Sequence, residues 1–331
     1  MKYFFRTGQR YCFDSHGKAI QCANAGQDGE IQSGVSFPEP RFVVENDLVT
    51  DRLTKLIWTR RAAIAEFPLT WQESLDAIEQ MNVERAYGRS DWRLPNRREL
   101  RSLVDHGQTR PVLPADHPFT DLVQHWYWTS TSSAMSPAYA WHVHFMGGRM
   151  FYGKKDGYEL AWPVAGSSDV IPKTGQRLCY DTDGNTIDCS NTGQDGAIRT
   201  GVAWPDKRFE DDGEIVRDDL TGLIWARHAD LAGKLVNLDT AYRWIADYRQ
   251  KTGRDWRLPS INELESLVDA SGHSPALPSP HPFLNPREAY WSSTTSTFEP
   301  DWSYCLYLHK GAVGVGFKVN AEFSVWPVCQ S

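Results

Sequence analysis

Thr7-Gly-Gln-Arg-Tyr-Cys-Phe-Asp14 returns as Thr174-Gly-Gln-Arg-Leu-Cys-Tyr-Asp181, and that return decides the architecture. At a constant offset of 167, residues 7–62 align with residues 174–229 without a gap, and 29 of the 56 positions are identical. An ungapped match at that level is a duplication. Gln27-Asp28-Gly29 meets Gln194-Asp195-Gly196, and Leu56-Ile57-Trp58 meets Leu223-Ile224-Trp225. The likeness resumes at offset 164, where Asp91-Trp-Arg-Leu-Pro95 meets Asp255-Trp-Arg-Leu-Pro259. Tyr127-Trp128 then meets Tyr290-Trp291, and Trp162-Pro163-Val164 meets Trp326-Pro327-Val328. The period is half the chain, too long for a solenoid and long enough for each copy to bury its own core. The chain therefore reads as two modules, 1–167 and 168–331, joined by a short polar linker around residues 165–174.

Composition narrows the class. The chain has 331 residues, with 40% hydrophobic and 23% charged side chains, which is a globular profile rather than a disordered one. No stretch approaches the ~18 apolar residues that span a bilayer, so no direct membrane insertion is expected. A net charge of −7 argues against a nucleic-acid partner, because that affinity depends on neutralising phosphates. Fourteen tryptophans stand out. Eight are four positions counted twice: Trp58/Trp225, Trp92/Trp256, Trp128/Trp291 and Trp162/Trp326. Recurrence in two diverged copies points these eight to a core. Trp126, Trp141 and Trp302 do not recur and fall in or beside the region where strands are expected.

Each copy reads as α+β. Cys12 to Cys22 and Cys179 to Cys189 bracket central His-Gly and Asp-Gly pairs, which predicts a hairpin with a cysteine on each strand. Asp51 to Trp58 and Asp218 to Trp225 read as a turn feeding a buried strand. Thr70-Trp-Gln-Glu73 has capping-box spacing and opens a helix with Trp71, Leu75 and Ile78 on one face. The second copy opens its helix at Asn237, with Leu238, Tyr242 and Ile245 on the stripe. A second helix opens at Asn96 and at Ser260, each followed by Glu three residues later. From Tyr127 and Tyr290 onward, β-formers and glycine turns predict an antiparallel strand meander. Gln27-Asp28-Gly29 and its copy read as turns.

The ordered motifs Asp-x-x-Thr-x-Leu-Ile-Trp, Asp-Trp-Arg-Leu-Pro-x-x-x-Glu-Leu, Tyr-Trp-x-Ser-Thr and Trp-Pro-Val resemble the Lcl C-terminal domain family, named after the tail of a collagen-like adhesin. The Thr-Gly-Gln…Cys…Cys…Gly-Gln-Asp-Gly preamble is similar to the segment that often precedes such domains. The resemblance covers nearly the whole chain, twice. It implies two tandem C-type-lectin-like modules on a secreted or surface protein of bacteria, used for binding rather than catalysis. The named member is associated with sulfated glycosaminoglycans, a ligand that fold alone does not transfer.

Six cysteines, at 12, 22, 179, 189, 305 and 329, suggest three bridges: Cys12–Cys22, Cys179–Cys189 and Cys305–Cys329. The third pair occurs only in the second copy. Disulfides place the protein in the periplasm, at the cell surface or outside the cell. Met1-Lys-Tyr-Phe-Phe-Arg6 carries no recognisable signal-peptide core.

Several residue groups invite a chemical reading. His142 and His144 alternate onto one strand face but lack a third ligand, so no metal is expected. Asp181, Asp183, Asn185 and Asp188 lack the glycine and glutamate positions of a calcium loop and read as a hairpin turn. The Ser- and Thr-rich residues 129–133 and 292–296 have no repeated histidine–acid partner, and His117 and His281 sit in turns. No catalytic residue and no cofactor are expected. Arg93, Arg97, Arg98 and Arg101 cluster about the second helix of the first copy, and guanidinium groups there suit a small anionic patch. The expected ligand face lies between the Trp-x-Ser-Thr strand and the terminal Trp-Pro-Val. It takes in Trp141, His142, His144, Arg149 and Tyr152 in one copy, and Trp302, Tyr304, Tyr307 and Lys310 in the other. The expected function is adhesin-type recognition of a glycan or protein surface. The alternatives are an enzyme on a formylglycine-generating-oxidase-like scaffold and a structural subunit of a surface assembly.

Overall fold

A computed structural model describes residues 3–330 as a mixed α/β chain with mostly antiparallel sheets. Its α-helices are α1 (Asp28–Ile31), α2 (Trp71–Val83), α3 (Arg97–Arg101), α4 (Asp195–Ile198), α5 (Leu238–Thr252) and α6 (Ile261–Ser266).

The repeated motifs are hydrogen-bond sets. Asp51 accepts from the Leu53 amide and the Thr54 hydroxyl, both at 3.0 Å, and so folds the turn ahead of strand Ile57–Thr59. Arg41 grips the same carboxylate with two donors, at 3.1 and 2.9 Å, and donates a third bond to the Ser102 carbonyl. Both side chains are buried, where a charge survives only as a hydrogen-bonded pair. Asp218 repeats the set with Leu220, Thr221 and Arg208. In Asp-Trp-Arg-Leu-Pro-x-x-x-Glu-Leu the arginine meets the glutamate: Arg93–Glu99 at 2.6 Å and Arg257–Glu263 at 2.5 Å. That glutamate also accepts from the N-cap amide, completing the capping boxes expected at Asn96 and Ser260. The box at Thr70 forms too, and Asn237 caps α5 through the Thr240 amide.

Each module body holds one small sheet and one meander. In the first body, Phe42–Glu45, Leu48–Asp51, Ile57–Thr59 and Val164–Ala165 pair in that order, so the last strand closes on an early one. Its meander runs Trp126–Ser132, Tyr139–His144 and Met150–Lys154. The second body repeats this with Phe209–Asp211, Ile215–Asp218, Leu223–Ala226 and Val328–Gln330. Its meander is Tyr290–Thr295, Trp302–Tyr307 and Ala312–Phe317. All eight recurring tryptophans are buried, as their recurrence predicts. Trp58 meets Trp162 edge-on at 5.4 Å, Trp225 meets Trp326 at 5.3 Å, and each terminal indole donates back to a strand carbonyl.

The compact units do not follow the duplication frame of 1–167 and 168–331. The first unit is Phe37–Val104 with Thr109–Ala203, so the first body packs with the preamble of the second copy. The second unit is Met1–Ser36 with Asp105–Gln108 and Trp204–Ser331, so the second body packs with the first preamble. Each preamble carries its expected hairpin and bridge, Cys12–Cys22 in one and Cys179–Cys189 in the other. The third expected bridge is absent. Cys305 and Cys329 are free, buried thiols. Cys305 points into a core of Trp291, Phe323 and Val325, whereas Cys329 lies on the closing strand beside the charges of Arg254 and Arg257.

Candidate functional site

The strand period separates residues that the expected ligand face had grouped. In the Tyr139–His144 strand, Trp141 pairs with Tyr152 and His142 with Phe151, so Trp141 and Tyr152 face one side while His142 and His144 face the other. Trp141 is 1% exposed, with the Arg97 guanidinium 4.1 Å over its ring and Tyr152 edge-on at 5.2 Å. It is a packing residue. In the second unit Tyr304 is buried beneath the His106 ring at 4.4 Å. Trp302 packs on Phe317, Tyr307 on Phe323, and Lys310 lies over the Tyr307 ring, all three half-exposed.

The expected anionic patch is also corrected. Arg93, Arg97, Arg98 and Arg101 are all buried, 7% exposed or less, so they present no solvated face to an anion. Arg93 is held by Glu99 and Arg97 by its place over Trp141. This five-residue helix is buried along its whole length, its glutamate and arginines engaged inside the fold.

What the structure does assemble is a histidine–tryptophan cluster in the first unit. Trp126, half-exposed at the start of its strand, stacks on His142 at 4.0 Å and meets His144 at 4.6 Å. Trp128 backs His142 from within at 5.6 Å. Glu159 stands 3.5 Å from His142 and 3.3 Å from the exposed His125, within ion-pair range. Exposed Arg149 adds positive charge beside His144, whose burial holds its imidazole below the ordinary histidine range. The His144 ring nitrogen is already engaged by Met146, at 2.6 Å to its carbonyl. No group of three or more His, Cys, Asp or Glu among the described residues is arranged to hold a metal. Asp181 is occupied by its own turn, accepting from the amides of Asp183 and Asn185.

The duplicate makes the cluster informative. Ala289, Cys305, Tyr307 and Phe323 stand at the positions of Trp126, His142, His144 and Glu159 in the second body, and Trp291 packs on Phe323 at 4.7 Å. One copy keeps an apolar core there; the other opens a polar, aromatic rim. Of the expected face, His142, His144 and Arg149 belong to this rim, and His125, Trp126 and Glu159 complete it.

A second set of residues escaped the sequence reading. Gln-Asp-Gly, read as a turn, begins α1 and α4 and buries its carboxylate. Asp28 accepts from Thr7 at 2.7 Å and Thr294 at 2.6 Å, and Asp195 from Thr174 and Thr131, both at 2.7 Å. Burial lifts each carboxyl to about 6, against the pull of those hydroxyls. The adjoining glycine is required by close approach: a Cβ on Gly29 would sit 2.4 Å from the Tyr11 carbonyl oxygen. Lys318 caps the hairpin carbonyl of Asp14 at 3.1 Å, and Lys155 those of Tyr180 and Asp181. Burial lowers these ammonium groups to about 8 and about 7. The only sequence signal was the identity of Thr-Gly-Gln and Gln-Asp-Gly in both copies. Between each docked preamble and the long helix of its unit lies a cleft, about 520 Å³ beside α2 and about 720 Å³ beside α5.

Residues 47–165 and 214–329 match the Lcl C-terminal domain, and together they span most of the chain. The chain belongs to the Lcl C-terminal domain family. Both preambles lie outside the matched residues, so the Lcl domain corresponds to the module body. The His–Trp rim is thus a property of the first Lcl domain and not of the second. No curated protein and no solved structure matches the chain.

Proposed function

We propose that the chain is a non-catalytic ligand-binding protein of adhesin type, built on two C-type-lectin-like modules. Its ligand is a glycan or protein surface seated on the rim of the first Lcl domain. The observation that carries this reading is Trp126, a half-exposed indole stacked on His142 and flanked by Arg149 and the His125–Glu159 pair. A flat ring with charged donors and an acceptor around it suits the apolar face and hydroxyls of a sugar. Two hairpin disulfides favour a place in the periplasm, at the cell surface or outside the cell. Among the described residues no helix is long and apolar enough to cross a membrane.

The enzymatic alternative needs a reactive cysteine pair. Cys305 and Cys329 are unbonded, and burial pushes both thiols up, away from thiolate character. Binding is therefore preferred. The test is a glycan-array screen of the full chain, followed by titration of hits against Trp126→Ala. Loss of binding with an unchanged melting temperature supports the reading. Hits that Trp126→Ala retains at full affinity place the ligand elsewhere and remove it.

A further inference from the structure

The first body is completed by the preamble that follows it in the chain, whereas the second is completed by the preamble that precedes the first body. The two docking slots nevertheless share a central set of equivalent bonds. A threonine of the Tyr-Trp-x-Ser-Thr strand, Thr131 or Thr294, accepts from the first helical amide of α3 or α6 and donates to the preamble aspartate. The backbone amide and carbonyl of the next residue, Ser132 or Thr295, exchange two hydrogen bonds with the side-chain amide of the preamble glutamine, Gln176 or Gln9, at 2.7–2.9 Å. A buried lysine then caps the hairpin carbonyls. These central bonds recur in both slots, while the bonds from Asn262 to the Phe5 and Arg6 carbonyls and from the His106 amide to the Thr7 carbonyl fit the second slot to the first preamble.

From this we propose that the first preamble is an exchangeable coupling element, and that the slot of the second body takes the first preamble of a second copy of this chain. The bonds made are the same whether the preamble arrives from its own chain or another. Only the tether differs, and a flexible tether sets an effective concentration on the order of millimolar. Closure within one chain therefore dominates when the protein is dilute. Where chains are crowded at a surface, the same preamble joins them head to tail.

The test uses full-length chains and two contact pairs. Arg6 lies under Asn262, whose side-chain amide reaches its carbonyl at 3.4 Å, and Gln9 meets Thr295. Arg6→Cys and Asn262→Cys are placed first on one chain and then on separate chains, mixed at high concentration and treated with a short bis-maleimide, to which each thiol adds. The same is done for Gln9→Cys and Thr295→Cys, so that one disruptive substitution does not decide the outcome. The expected result is cross-linking within the doubly substituted chain and, in the split mixture, a product of twice the chain mass that diminishes on dilution. Intrachain cross-linking with no split product at any concentration overturns the exchange. Failure of both doubly substituted chains to cross-link overturns the docking itself.

Discussion

Thr294 donates its hydroxyl to Asp28 at 2.6 Å although 266 positions of chain separate them. One bond thus ties the Tyr-Trp-x-Ser-Thr strand of the second copy to the Gln-Asp-Gly of the first. Thr131 and Asp195 repeat it within the first unit.

Removing the hydroxyl should loosen the preamble before anything else. Thr294→Val keeps the shape but leaves a buried carboxylate with one partner fewer and the Ile261 amide with none, at a cost of about 1–3 kcal/mol. Amide exchange should accelerate in the residue 7–31 region while the Lcl body stays protected. Uniform acceleration across the unit would count against a separable preamble.

Stability should pass through a minimum near neutrality. Asp28 and Asp195 titrate at about 6 in the fold against an ordinary 3.8, so the native state keeps protons that the unfolded chain sheds. Their contribution is full below pH 4 and is lost as pH rises through 6, about 3 kcal/mol per carboxylate at most. Lys155 and Lys318 act in the opposite sense, because burial lowers them from 10.5. The unfolded chain then holds the extra protons, and stability recovers as pH rises above about 7 for Lys155 and about 8 for Lys318. Denaturant midpoints measured across this range should dip between the two limbs, and Asp28→Asn with Asp195→Asn should flatten the acidic one. A midpoint that climbs steadily from pH 4 to 7 would falsify this assignment.

Arg97→Ala should damage the fold rather than heparin retention. Its guanidinium lies over buried Trp141, and its charge partly offsets the burial of Asp195. Loss of about 2–4 kcal/mol is expected, as for other deletions inside a buried charge network. Urea unfolding checks it, and an unchanged midpoint with weakened heparin binding would restore the anionic patch.

Thiol chemistry should find two free cysteines and two bridges. Cys305 and Cys329 should resist alkylation in native protein and react in denaturant without reductant, because both are buried. Mass mapping of a Cys305–Cys329 link would reinstate the third bridge.

Much of the local structure was legible because its signals are local. Capping boxes at Thr70, Asn96 and Ser260, the cysteine hairpins and the tryptophan core all follow from spacing and recurrence. The histidine–tryptophan rim was legible only in part. His142 and His144 were placed by strand alternation, but Trp141 was joined to them although the same alternation puts it on the opposite side. Arginine counts could not show burial, since Arg93 and Arg97 find their partners through tertiary packing. The third disulfide failed for a related reason: joint absence from one copy is compatible with two thiols that never meet.

The placement of the preambles also resets where a repeat begins. Read from the motifs, a repeat starts at Thr7 or Thr174; by packing, it starts at Phe37 and runs on to Ala203. A cut at the sequence boundary near residue 167 would strand each body without its own cap and hand it the other's. The contiguous stretch with a full set of docking bonds is the one that ends, rather than begins, with Thr-Gly-Gln and Gln-Asp-Gly. In that register the preamble behaves as a trailing segment of the domain before it, and the phase of the duplication is offset from the phase of folding.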